Sequence, residues 1–403
     1  MKKIRVYGLI WAALAGVASL AAQPVPLIDS QTPVDWFFVF KFNAKSFPAS
    51  CSAAQRKCSF GGQVQPYKDF SQQFAFASSA NPQLQQGGAC VGVTAADPIG
   101  ATFGQLYNGK FFYVVWNDQF YGDPMATEFA PWGHSKGMLA WDSSGSGFVM
   151  QVSTPDWPGS GSSGNLRKTI GNTLGCIAGD DDIEVSQHFF ALKLNSSDVM
   201  AVLNGLANAS VVTDPKNPQI VNNGGPAAIQ SAVNALGSKS ASKLATQAKL
   251  SSGVTLISKA SGLHVPPWQM VSSLLGGVPL RTANWWADPD EIPSTTASTP
   301  VACWDASLKI KPGAVDIATT GTWQGKAIGL KGGANPSGNH AKIGVSTGTQ
   351  AYSIFGDMNQ QGQLTTDCAS SQNGRGGLFF VVNNAPLHDS VSALIKGESA
   401  PVN

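Results

Sequence analysis

A short run of apolar and aromatic residues without polar alternation cannot lie half-exposed on a sheet. It must be covered on both faces. Two such runs, VDWFFVFKF (Val34 to Phe42) and FFYVVWND (Phe111 to Asp118), are rich in aromatic and β-branched residues, and we read both as buried central strands. With 44 glycines, 24 prolines and only 12% charged residues in 403, the chain has a large core, many turns and many short strands. This composition excludes a disordered, fibrous or marginal mini-domain protein.

Between and after these runs the pattern continues. GMLAWD and GFVMQVS, separated by SSGSG, form a strand pair with a turn, and HFFALKL (His188 to Leu194) is a further strand. PDWPGSGSSGN (Pro155 to Asn165) is a loop, and SSDVMAVLNGLANA opens on a Ser196/Ser197 and Asp198 cap signature and continues as a helix. From Pro226 to Ala260 the Ala/Ser/Lys-rich sequence reads as surface helix broken near Gly237. WWADPDEIPSTTASTP (Trp285 to Pro300) is a long polar loop and the best candidate for a seam between two halves. Beyond it CWDASLKIK, IGLKGG, HAKIGVS, AYSIFGDMN and RGGLFFVVN repeat the earlier order in outline, and a short helix closes the chain near Asp389 to Lys396. The expected division is therefore a leader at 1–22, an N-terminal half at 23–290 with a helical or loop insertion at about 226–260, and a C-terminal half at 291–403.

The leader, MKKIRVYGLIWAALAGVASLAAQ, places Lys2, Lys3 and Arg5 before an apolar stretch from Val6 to Val17 and ends in small residues. This is the pattern of a secretory signal peptide cut near Ala21 or Ala22. Its apolar run is shorter than the roughly 20 residues that span a bilayer, and no later segment is long and apolar enough to do so. The expectation is an exported protein, periplasmic or secreted, with no membrane attachment after cleavage. Losing three cations takes the formal charge from +2 to about −1, so a polyanionic partner would need a local basic groove. Export makes disulfides plausible among Cys51, Cys58, Cys90, Cys176, Cys303 and Cys368; Cys51 with Cys58 is the easiest local pair and the others stay open. Neither zinc-ligand spacing nor a phosphate loop appears, and no cofactor is expected.

The chain has five histidines, yet His-x-Lys occurs twice, as His134/Lys136 in GHSKGMLAWD and as His340/Lys342 in NHAKIGVS. Roughly 0.3 His-x-Lys/Arg matches are expected by chance. Each pair stands at the mouth of an apolar strand, where residues i and i+2 share a face, so imidazole and ammonium point the same way. Two similar sub-structures facing each other would each supply half of a site. Two histidines and two lysines meet the needs of phosphodiester cleavage without a metal: a nucleophile, a proton donor for the leaving oxygen, and fixed positive charge on the other oxygens.

The surrounding motifs carry a resemblance. VDWFFVFKF, WNDQ (Trp116 to Gln119), GHSKGMLAWD, STPDWP (Ser153 to Pro158), HAKIGVS, FGDMN and RGG (Arg375 to Gly377) occur in the order and spacing of the deoxyribonuclease II family, from about Val34 to Leu394. The resemblance implies an α/β, phospholipase D-like fold: two similar α/β halves with mixed sheets, related by a pseudo-two-fold, each bringing one His-x-Lys to a central cleft. It also implies a metal-independent acid endodeoxyribonuclease acting on DNA and leaving 3′-phosphate and 5′-hydroxyl ends. By resemblance His340 is the nucleophile that forms a phosphohistidine, and His134 is the acid that protonates the leaving 5′-oxygen and later activates water. Lys136, Lys342 and Asn359 bind phosphate oxygens. Asn117, Asp118 and Arg375 are expected to bind substrate, plain turn chemistry being the other reading of Arg375. Asp142 or Asp357 would hold the far ring nitrogen of a catalytic histidine. The two imidazoles must start in opposite protonation states, which values of about 6.5 permit in mild acid. One departure is Val152, where animal members carry a further histidine before the S-x-P segment.

The remaining features read more plainly. His188 is a packed strand histidine, His264 and His388 are surface or loop residues, and GDDDIE (Gly179 to Glu184) is a solvated acidic turn rather than a cation site. Trp285 and Trp286 are equally readable as base-stacking or core residues. Two other functions fit the same pattern. A phospholipase D-like enzyme on a non-DNA diester is disfavoured by Ser346, which stands where the lipid enzymes carry Asp six residues after the histidine. A non-catalytic DNA-binding protein is disfavoured because binding alone needs cations, not paired histidines. Oligomeric state stays open.

Overall fold

The computed structural model describes residues 23–48, 70–92, 95–120, 122–123, 125, 127–172 and 183–402. The leader, Cys51, Cys58, Cys176 and most of the GDDDIE turn lie outside the described residues. Eight strands, β1 (Trp36–Lys41), β2 (Phe74–Ser78), β3 (Gln85–Gln86), β4 (Phe112–Asn117), β5 (Lys136–Trp141), β6 (Gly147–Val152), β7 (Gln187–Leu194) and β8 (Val221–Asn222), form one sheet in the order β3-β2-β1-β7-β6-β5-β4-β8. A second sheet of seven strands contains β9 (Ala245–Lys249), β10 (Thr255–Lys259), β11 (Leu280–Ala283) and β12 (Val315–Ile317), and, after a separate hairpin of β13 (Thr320–Trp323) and β14 (Lys326–Gly329), β15 (Ile343–Ser346), β16 (Tyr352–Gly356) and β17 (Gly377–Asn383). Its order is β12-β11-β15-β16-β17-β10-β9. The helices are α1 (Pro98–Tyr107), α2 (Arg167–Ile170), α3 (Ser196–Asn208), α4 (Ala227–Asn234), α5 (Pro267–Leu274) and α6 (Ala385–Leu394), none long and apolar enough to cross a membrane among the described residues.

The architecture is thus α/β with few helices, but only one sheet is mixed. Every pair in the first is antiparallel, and in the second β11–β12 alone is parallel. Antiparallel neighbours need no crossover helix, which fits a chain whose strands are joined mostly by loops.

The apolar runs form strands for the reason their composition suggests. Phe38 of β1 and Phe190 of β7 stack on Phe355 of β16 with ring centroids 4.5 and 4.6 Å away, and Phe190 also meets Phe380 of β17 at 5.6 Å. The sheets therefore meet face to face through their middle strands, in one apolar core. Successive residues divide between cores: Leu256 of β10 enters this shared core, while its neighbour Ile257 joins a second cluster with Trp268 of α5 and Phe379. β1 is central as expected. β4 is buried but stands next to the sheet margin, with only the two-residue β8 beyond it.

Three expectations need correction. The Pro226–Ala260 stretch is helical only over α4; Gly237 takes φ +71°, and the rest forms the β9–β10 hairpin, because pairing with β17 overrides the helix preference of Ala and Lys. Accordingly the change of sheet comes between Asn222 and Ala245, and β9–β11 pair with the second sheet although they precede residue 291. The Trp285–Pro300 loop connects β11 with β12 inside that sheet, so it does not divide the sheets. Finally, α3 is capped by Asn195, whose side chain accepts from Asp198 N while Asp198 reaches back to Asn195 N, a reciprocal cap worth about 1 kcal/mol. Cys303 and Cys368 form a disulfide closing a separation of 65 residues, and Cys90 is also disulfide-bonded.

Candidate active site

The first motif sits where the chain enters β5. His134 N–H donates to Gly376 O at 2.8 Å, and its Nδ1–H donates to Asp357 O at 2.6 Å. A carbonyl can only accept, so this bond places the proton on Nδ1 and leaves Nε2 as the exchanging nitrogen. Lys136, two residues on, gives its ammonium to Asp118 Oδ1 at 2.7 Å. Ser135 between them turns the other way and accepts from Trp116 Nε1 at 2.9 Å, as alternation in an extended segment requires. Gly376 has to be glycine here: an added Cβ would come within 2.2 Å of Ala209 O.

The second motif enters β15 in a similar way. His340 N–H donates to Ser186 O at 2.8 Å, and Lys342 N–H donates to His188 Nδ1 at 3.1 Å. The Lys342 ammonium turns back onto His340 O at 2.5 Å. Trp285 presents its ring edge-on to the His340 imidazole, with centroids 4.1 Å apart and planes at 79°. Each histidine thus hangs by its backbone from the segment leading into a middle strand of the opposite sheet.

Both pairs line a single cleft of about 680 Å³, together with Asn359, Arg375 and Trp285. Its floor is strongly charged yet buried. Asp118 is fully buried and accepts from Lys136 on one oxygen and from Arg375 Nη2 on the other, both at 2.7 Å. Burial alone would raise the Asp118 carboxyl, but Lys136, Arg375 and His134 outweigh it and hold the group well below the carboxylate range. Burial, then Lys136, Arg375 and Lys342, pushes His134 well below its ordinary value, Asp118 opposing. Burial, then Lys342, Lys136, His134 and Lys41, does the same to His340. Both environments therefore favour the neutral imidazole, and an arriving anion would favour protonation.

Of the residues singled out in the sequence, His134, Lys136, His340, Lys342, Asn359 and Arg375 come together in the cleft. Asn359 lends its amide nitrogen to Gln361 Oε1 at 2.8 Å, which leaves its second N–H for a ligand. Others differ from expectation. Asn117 and Asp118 do not line the cleft: Asn117 ties the Thr154 and Trp157 carbonyls and Gln119 N together, and Asp118 lies beneath as counter-ion. Arg375 reaches the wall with Nε on the Trp132 carbonyl and Nη2 on Asp118 and the carbonyls of Gly133 and Thr127, and Nη1 makes none of these bonds. Asp142 holds no histidine; it closes the β5–β6 turn by accepting from Ser144 and Ser146, at the far end of β5 from His134. Asp357 does hold His134, through its backbone carbonyl, whereas its carboxylate accepts from Gln151 and Leu378 N. Burial raises that carboxyl to about 7 against the opposing bonds from Ser135, Leu378 and Gln151.

Sequence reasoning missed one contributor and left another undecided. His188 is packed as expected, but its Nδ1 receives the backbone of Lys342 from 154 residues away, a relation no local pattern reports. Trp285 belongs to the His340 environment while its neighbour Trp286 is core, and only the side taken by each ring separates them. Val152 is buried core, so no imidazole stands at that position.

Deoxyribonuclease-2-alpha of Rattus norvegicus is 28% identical over 158 residues, covering 37% of this chain and 40% of that protein's length. The chain therefore matches well under half of this curated relative. The family profile described as Deoxyribonuclease II matches residues 27–399, and so takes in both His-x-Lys pairs, the cleft they share and the sheets that carry them. On that extent of match, the chain belongs to the deoxyribonuclease II family.

Proposed function

We propose that the protein is an exported endodeoxyribonuclease that hydrolyses the DNA backbone in acid without a metal ion. The observation that carries this reading is the meeting of both His-x-Lys pairs in one cleft, lined also by Asn359. In the proposed cycle a phosphodiester lies between the imidazoles. The Lys136 and Lys342 ammoniums and the Asn359 amide bind its non-bridging oxygens, where negative charge grows in the transition state. His340 attacks phosphorus in line and becomes a phosphohistidine. His134, its Nδ1–H fixed on Asp357 O, donates the Nε2 proton to the departing 5′-oxygen, then takes a proton from the water that releases the 3′-phosphate. Because burial and the neighbouring cations depress His134, loading it with that proton requires acid or a bound phosphate.

The two sheets support a pseudo-two-fold, phospholipase D-like arrangement. Read from one side, β2-β1-β7-β6-β5-β4 corresponds in order to β9-β10-β17-β16-β15-β11, with a His-x-Lys pair just at or before β5 and β15. We place the division between the halves in residues 223–244. The leader at residues 1–22 would direct export.

Plasmid nicking at pH 5 in EDTA, with the new ends tested for 3′-phosphate, checks the reading. The expected result is cleavage in the native protein and none in His340→Ala or His134→Ala. Cleavage that needs an added metal, or that survives His340→Ala, overturns it.

A further inference from the structure

Beyond the cleft, two lysines are fully buried, Lys41 at the end of β1 and Lys259 at the end of β10, and neither lines the cleft wall. An interior ammonium is costly, and burial brings Lys259 down to about 7. Both stand among buried residues of their strands. What they hold is specific. Lys259 Nζ donates to Asn373 O and Arg375 O, each at 2.7 Å, and to Ala260 O at 3.4 Å. The segment 373–376 so gripped carries the whole first motif, since Gly376 O receives His134 N–H and Arg375 holds the Asp118 carboxylate that holds Lys136. Lys41 Nζ donates to Ile183 O at 3.1 Å, Phe42 O at 3.2 Å and Ser71 O at 3.4 Å. The segment 183–188 beyond it carries the second motif, since Ser186 O receives His340 N–H and His188 Nδ1 receives Lys342 N–H.

We propose that Lys41 and Lys259 are paired positioning residues, each gripping the lead-in to a middle strand from which the opposite sheet's His-x-Lys pair is hung. Lys259 sets the place of His134 and Lys136; Lys41 sets that of His340 and Lys342. Backbone carbonyls at the start of β7 and β17 are the parts through which each acts. This rests on the nuclease reading for its kinetic consequences, though not for its structural ones.

The two lysines should fail differently. Lys259→Met disturbs the acid that protonates the leaving oxygen, so its defect in the first step should shrink on a diester whose leaving group needs no proton. Lys41→Met disturbs the nucleophile, and its defect should be equal on both substrates. The test measures kcat and KM at pH 5 on plasmid DNA, and the single-turnover rate of p-nitrophenol release from thymidine 3′-(p-nitrophenyl phosphate), which reports the first step alone. A displacement of about 1 Å costs on the order of 100-fold, so each variant should lose roughly 10- to 100-fold in kcat on DNA with KM within about twofold. In that release from the aryl diester Lys259→Met should recover the part of its loss owed to His134, leaving the part owed to Lys136, and Lys41→Met should recover none. Lys259→Leu, which also removes the donors, stands in if Lys259→Met does not fold, and Lys41→Met is decisive alone if neither does. Native kcat in the folded variants, or equal losses of both on both substrates, overturns the proposal. If the native protein cleaves neither substrate the nuclease reading fails, and the histidine ring NMR signals then decide: Lys259→Met must shift His134 and leave His388 unmoved, and an unmoved His134 refutes the positioning role.

Discussion

Asp118→Asn is the most direct probe of how the cleft floor is held. The carboxylate is fully buried and spans two cations at 2.7 Å, Lys136 on one oxygen and Arg375 on the other. Asparagine keeps the shape but removes the charge and turns an N–H toward one of the cations. Breaking a buried ion pair by neutralising one partner costs about 3–5 kcal/mol, because the remaining charge stays desolvated. Arg375 keeps three carbonyl acceptors, which favours the lower part of that range. The pH dependence has a definite sign. The folded-state pKa of Asp118 is lowered, so its stabilisation is complete above the unfolded value and is lost as pH falls toward the folded one. Urea denaturation of native and Asp118→Asn protein should therefore differ by the same amount at pH 7 and pH 5. Below about pH 4 the difference should shrink by roughly 1.4 kcal/mol per pH unit. A difference under about 1 kcal/mol at pH 5, or one that does not shrink at pH 3, would show that the pair is not the stabilising contact the geometry implies.

Other tests are smaller. Trp285→Ala removes the ring edge from His340, a contact worth about 0.5–1.5 kcal/mol, so kcat on DNA should fall roughly 2- to 12-fold and Trp285→Phe should recover part of it. Asp357 is raised to about 7, so its contribution is complete below the unfolded value and is lost as pH rises through about 7. Native protein should then lose on the order of 4 kcal/mol relative to Asp357→Asn between pH 4 and 7; the comparison with the variant is needed because the depressed His134, His188 and His340 act with the opposite sign over this window. Replacing Cys303 and Cys368 by serine opens a loop of 65 residues and should cost about 2–4 kcal/mol by calorimetry or urea titration, with no change in kcat of the folded protein.

How far local pattern reaches is clear from particular elements. Phe37 to Phe40 could be assigned to a covered strand because no polar residue interrupts them, and the Asp142–Ser146 turn because Ser and Gly close a hairpin between two apolar runs. The Ala245–Lys249 segment could not, since its Ala and Lys favour helix and only β10 beside it makes it a strand. The same limit governs the site. The paired His-x-Lys motifs are visible as spacing, whereas Asp142 and Asp357, equal candidates as carboxylates, each directly follow a strand and are separated only by direction: β5 runs away from the cleft and β16 runs toward it.

By itself the sequence determined which residue types the chain brings to chemistry, two imidazoles and two ammoniums at i and i+2, and the strands at whose mouths they stand, because both depend on near-neighbour alternation. Tertiary structure decided what those groups touch. Asp118 and Arg375 are 257 residues apart, His134 and Asp357 are 223 apart, and His188 and Lys342 are 154 apart. Contacts of that range exist only once the sheets have packed through Phe38, Phe190 and Phe355, so the charge state of the cleft is a property of that packing rather than of any segment.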